Sequence, residues 1–267
     1  MNIIKSDLYR IVRSTTFWVC LLITSICAVL ITVISHFIAT GTFGQEFIGT
    51  ASGLMDNMII NIAAPMVIAT YLCGDFQNKT IHDAILYGHG RKAIIWSKFV
   101  PFVVVVMVLV LPYAVSTLIG FVMNGAFSLD FANAIDSSYM MMLAKKAEFS
   151  VNLDTILKLL LCLLVLGIMY CSRISLIFLL AVKIRKPVPV VGIGILLEIG
   201  LGIMAAVANG NEVVKACLGW TPFTTMRDTI TLQASVPELL RMAGTSIVFM
   251  LIIINITVLL FRKTEVK

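Results

Sequence analysis

The stretch Phe99–Val122 reads FVPFVVVVMVLVLPYAVSTLIGFV and contains no charged residue. A helix rises about 1.5 Å per residue, so roughly 20 apolar residues cross a hydrocarbon core of about 30 Å. Five further windows have the same character: Phe17–Ala39, Leu54–Cys73, Ile156–Val182, Val188–Val207 and Gly244–Phe261. They are rich in Leu, Ile, Val and Met without strict alternation, which favours helices over barrel strands. Pro65 and Pro112 fall inside two windows and are expected to bend them. Composition agrees: the chain has 267 residues, 60% hydrophobic and only 13% charged, where a soluble domain carries about 25% charged residues. The expectation is an all-α integral membrane protein, one transmembrane domain over 1–267 with six transmembrane helices. The first window follows a basic flank, as a signal peptide would. It is longer than a typical apolar signal core of about 7–15 residues, so it reads as a retained span.

Outward from these windows, Lys and Arg set the orientation. The N-terminal arm carries Lys5, Arg10 and Arg13, and the loop after the second window carries Lys79, Arg91, Lys92 and Lys98. Lys183, Arg185 and Lys186 follow the fourth window, and Arg262, Lys263 and Lys267 end the chain. The opposite loops hold only Lys145, Lys146, Lys215, Arg227 and Arg241. Both termini are therefore expected in the cytoplasm of a cell (plasma) membrane protein. The net charge of +6 is a topology signal and does not point to nucleic acid. Cys20, Cys27, Cys73, Cys162 and Cys171 lie in or at the ends of spans, and Cys217 stands alone outside them. That distribution gives no disulfide framework and no metal spacing.

Residues 1–16 place Ile4, Leu8, Ile11 and Val12 at helical spacing, with Lys5, Asp7, Arg10 and Arg13 elsewhere. This predicts an amphipathic helix in the cytoplasmic interface. The polar insert Gly74–Lys98 reads GDFQNKTIHDAILYGHGRKAIIWSK. Thr80–Leu86 is expected to form a short helix with Ile81 and Ile85 on one face and His82 and Asp83 on another. Gly88 and Gly90 break it, and helix resumes at Arg91, with Trp96 as an interfacial anchor. At this length the insert exceeds a simple connector, which suggests a docking element with Ile81, Ile85 and Tyr87 as contacts. The segments 123–155 and 208–243 form long outer loops, where Ser235-Val236-Pro237-Glu238 reads as a helix start.

Catalytic motifs are missing. There is no Gly-x4-Gly-Lys-Ser/Thr phosphate loop and no His-Glu-x-x-His, so no enzymatic role, cofactor or metal is expected. Two charges lie deep inside spans: Arg173 and Glu198, each roughly 14 Å from the cytoplasmic ends of their helices. An unpaired charge at that depth costs several kcal/mol, so a pair is expected; the other reading puts one of them on a substrate path.

Together these residues resemble the ABC-2-type permeases, the membrane subunits of ATP-binding-cassette exporters. The likeness covers the whole chain in plan: an elbow helix, six spans, a cytoplasmic coupling helix between spans two and three, and outer helices before the last span. Locally it rests on Asp75, Thr80, the Gly88–Gly90 turn, Arg91 and Lys98. The acidic position is Asp where relatives often have Glu, and the turn lacks the proline many carry. The subgroup it looks most like is the compact Firmicute permeases for peptide-antibiotic export or self-protection. The resemblance implies a coupling helix, with Thr80, Ile81, Asp83, Ile85, Tyr87 and Arg91, gripped by a separate cytosolic ATPase in two copies. It further implies a second permease chain, identical or paralogous, and an amphipathic substrate such as a peptide antibiotic, lipid or drug. The competing expectation is an ATP-independent carrier or channel.

Overall fold

The computed structural model describes residues 2–39, 42, 54–122, 153–208, 221–223, 230 and 234–263. Among them there are eight helices and no strand: α1 (Asn2–Val12), α2 (Thr15–Ala39), α3 (Asp56–Gln77), α4 (Thr80–Leu86), α5 (Arg91–Val122), α6 (Leu153–Ile184), α7 (Pro187–Ala208) and α8 (Val236–Lys263). Five of these, α2, α3, α5, α6 and α8, are long and apolar enough to cross a membrane, and α7 is a shorter apolar helix over Pro187–Leu201. Of the expected outer loops 123–155 and 208–243, residues 123–152, 209–220, 224–229 and 231–233 lie outside the described residues.

Helix α6 is the hub and packs against α3, α5, α7 and α8. Its buried residues run through every turn from Leu159 to Val182, so it reads as the inner post of the bundle rather than a one-sided helix. Phe99 and Phe102 of α5 interlock with Phe178 of α6, with ring centroids 5.1–5.4 Å apart. Aromatic contacts of that kind add about 0.5–1.5 kcal/mol each beyond area burial. Gly167 of α6 gives Met107 of α5 its room, since a Cβ there would sit 2.8 Å from the Met107 sulfur.

The outer faces are oily. On α2, Trp18, Leu22, Ile26, Val29 and Val33 are exposed and share one stripe at helical spacing. Exposed Leu240, Ile247, Leu251 and Leu259 do the same on α8. A water-soluble monomer rarely shows contiguous apolar surface on this scale; with the five long helices it marks a membrane-embedded α-helical protein.

One end of the bundle collects α1, the C-terminal ends of α3, α6 and α8 and the N-terminal ends of α5 and α7. Arg91 donates to the Arg262 carbonyl (2.9 Å), and Phe76 meets Phe261 edge to face with centroids 6.2 Å apart. At the other end, Tyr113 of α5 donates to the Leu54 carbonyl just before α3 (2.8 Å). The α1–α2 corner is pinned by the Trp18 indole, which donates to the Val12 carbonyl (2.6 Å), one of the acceptors a helix end leaves open.

The helix boundaries change the shape of the insert. Gly74–Gln77 still belongs to α3 and Arg91–Lys98 is the opening of α5, so only 78–90 lies outside the long helices. The last span likewise starts earlier than its apolar core, at Val236, where Glu238 Oε2 accepts from the Ser235 backbone N–H (3.0 Å). This is one half of a capping box.

Candidate functional site

Helix α4 forms where the sequence predicts it. Lys79 turns the chain with φ at 57°, Thr80 opens the helix, and Gly88 closes it at φ 83°. His89 N–H reaches the Ala84 carbonyl (3.2 Å) and Gly88 N–H reaches Ile85 (3.0 Å), a Schellman closure whose left-handed position favours glycine. Gly88 carries that requirement alone; Gly90 does not have positive φ.

The two faces of α4 have opposite fates. Ile81 is 1% exposed and lies in the bundle core, so it anchors the helix and is not a contact for another protein. Ile85 is half-buried against the same core. Tyr87 is 83% exposed and Leu86, which the sequence reading passed over, is 75% exposed. Asp83 is exposed and Thr80 half-exposed, while Arg91 spends its guanidinium on the Arg262 carbonyl. A cleft of about 330 Å³ runs between α1 and α4, lined by Ile3, Ser6, Asp83, Tyr87 and His89, with Asp7 and Lys98 among its walls.

Behind that cleft lies a four-charge cluster. Lys98 Nζ sits between Asp7 Oδ1 (2.7 Å) and Asp75 Oδ2 (2.6 Å), and Arg10 Nη2 donates to Asp75 Oδ1. Asp75 is 0% exposed and Asp7 2% exposed. Two cations therefore balance two carboxylates, the arrangement that makes buried charge tolerable. Lys98 also lies over the Tyr71 ring, 5.1 Å from its centroid. Burial opposes the Arg10 charge, but the hydrogen bond and attraction from Asp75, with Asp7 adding to them, hold its pKa above the ordinary value. The cluster joins α1, α3 and α5. The family likeness already singled out Asp75 and Lys98; the structure brings them into contact. Asp7 had been assigned to the polar face of α1, yet it shares the i, i+3, i+7 spacing of Ile4 and Ile11. That register was the available signal for its burial.

Nearer the other end, Arg173 Nη2 meets Glu198 Oε2 at 2.6 Å, both buried, joining α6 to α7. Asn57 accepts from Arg173 (3.3 Å) and from Asn61 (3.0 Å), and Arg173 stands over the Phe223 ring at 5.5 Å. Asp56, fully buried, accepts from Tyr170 (2.6 Å). Asp56 and Asn57, polar residues at the start of the second window, are thus both used inside the bundle. Among the described residues, no group of three or more His, Cys, Asp and Glu could hold a metal ion, and the five described cysteines are free and buried.

No family model matches the sequence, and no curated protein matches it.

Proposed function

We propose that this chain is the permease subunit of an ABC exporter. In this reading it has six spans, with α7 as the fifth, both termini in the cytoplasm and α1 as an interfacial elbow. It sits in the plasma membrane beside a second permease chain. A separate cytosolic ATPase, two copies per pair, seats on α4 and drives export of an amphipathic substrate such as a peptide, lipid or drug. The observation that carries the reading is the split of α4: one face is locked into the bundle by Ile81, and the tip at Leu86–Tyr87 is left bare beside a cleft. A helix held rigidly on one side and bare on the other can pass a push into α3 and α5. The cluster of Asp7, Arg10, Asp75 and Lys98 would spread that push to α1. Such coupling requires an element with two discrete arrangements that the partner biases.

The test is purification of the tagged chain from its native membranes. A co-purifying chain that carries Gly-x4-Gly-Lys-Ser/Thr is expected with the wild type. It should be lost from Leu86→Glu/Tyr87→Glu while the melting temperature is unchanged, because exposed substitutions usually shift stability by no more than about 0.5 kcal/mol. Ile81→Glu should instead unfold the protein, since it buries an unpaired charge. No ATPase in the wild-type preparation, or full retention by the double variant, would overturn the reading.

A further inference from the structure

A second cleft opens at the same end of the bundle, on the far side of α4 from the α1 groove. It has a volume of about 400 Å³ and is lined by Lys79, His82, Arg185 and Lys186, with Phe76 and Ile184 as apolar walls. Its lining has three cations and no acid, whereas the cations of the neighbouring cluster are each matched by a carboxylate. Arg185 lies over the Phe76 ring at 4.9 Å, a cation–π contact that fixes the guanidinium plane and leaves its N–H edge for an acceptor.

Backbone geometry points to the same place. Among the described residues, Lys79 (φ 57°) and Arg185 (φ 60°) are the two non-glycine residues with positive φ. Both follow helix ends, at positions where glycine usually relieves the strain. Here two long cations occupy them and both line this cleft. Strained positions that persist concentrate where a ligand is held.

We propose that this cleft binds the phosphate headgroup of an anionic phospholipid, with Lys79, Arg185 and Lys186 as its donors and Phe76 and Ile184 against the upper acyl chains. The cleft lies at the ends of α3 and α6, the level at which headgroups meet protein, and basic clefts between helix ends on the cytoplasmic side suit anionic headgroups. The inference rests on the orientation proposed above, and it does not require an ATPase.

Native mass spectrometry of the full chain in detergent tests it, with phosphatidylglycerol and phosphatidylcholine offered in equal amounts. The wild type should retain phosphatidylglycerol at least tenfold over phosphatidylcholine, and Lys79→Gln/Arg185→Gln/Lys186→Gln should lose that preference. Lys5→Gln/Lys92→Gln removes charge from exposed positions elsewhere and should keep it. Leu86→Glu/Tyr87→Glu should keep it too, which separates this site from ATPase docking. Arg185→Gly should raise the melting temperature by relieving strain while weakening retention. Absence of preference in the wild type would overturn the proposal. So would equal loss in the Lys5/Lys92 control, or displacement of the lipid by millimolar inorganic phosphate, which would identify a soluble anion as the ligand.

Discussion

Arg173 and Glu198 show how little freedom a buried charge has. Each is nearly sealed from solvent and each finds the other at 2.6 Å, with Asn57 taking a further guanidinium N–H. Removing one member leaves the other buried without its counter-charge, a loss of about 3–5 kcal/mol, whereas replacing both with apolar residues of similar volume is often neutral or stabilising. Arg173→Met and Glu198→Leu should therefore each lower the melting temperature sharply in detergent, and the double variant should recover most of the loss. The exchange Arg173→Glu/Glu198→Arg should recover less than the apolar pair, because Asn57 and Phe223 are placed for a guanidinium on α6. A double variant no better than the worse single one would mean that the two side chains do not act as a pair.

At the scale of elements, α1 is held by charge as much as by oil. Only Ile11 of its apolar residues is fully buried, and Asp7 reaches Lys98 at the foot of α5. Lys98→Met leaves Asp7 and Asp75 to share Arg10, which is itself partly exposed. The expected cost is again about 3–5 kcal/mol, read as faster tryptic cleavage at Arg10 and Arg13 and as a lower melting temperature. Asp7→Leu/Lys98→Met keeps the Arg10–Asp75 bond and should restore slow cleavage. Equal protection in Lys98→Met and wild type would show that α1 is held by packing alone. Here the limits of the sequence are concrete. Apolar windows gave α2, α3, α5, α6, α7 and α8, and the Thr80 start with the Gly88 stop gave α4, because these signals are local. Ile81 read as a contact because an apolar residue on a short polar helix looks the same whether it faces a partner or its own bundle; only the packing of α3 and α5 decides. Asp75 was counted in a loop because its charge suggested water, although Lys98 and Arg10 make burial tolerable from 23 and 65 residues away.

At the scale of the molecule, the strongest constraint is that α1, the start of α5 and the end of α8 share one end of the bundle. The proposed six-span plan requires an even number of passes between α1 and the end of α8, which is one more than the five long helices supply. In the proposed plan α7 makes the additional pass: its 22 residues would span roughly 33 Å at 1.5 Å each, enough for a hydrocarbon core of about 30 Å. Its pairing with α6 through Glu198 ties it to the interior rather than to the surface. Helices α5 and α6, at 32 residues each, reach about 48 Å and overshoot that core, and the excess of α5 carries the first turns beside α4. The proposed topology can be measured. In a Cys217→Ser background the five described cysteines are buried, so new ones report cleanly. Cysteine at His89 or Lys186 should react with an impermeant maleimide only in inside-out vesicles, and cysteine at Asp154 or Ser235 only in right-side-out ones. If α7 failed to cross, Ser235 would label together with Lys186. The polarity of α8 could then no longer be reconciled with the contact of Arg91 with Arg262 at the α4 end, and the six-span plan would fall with it.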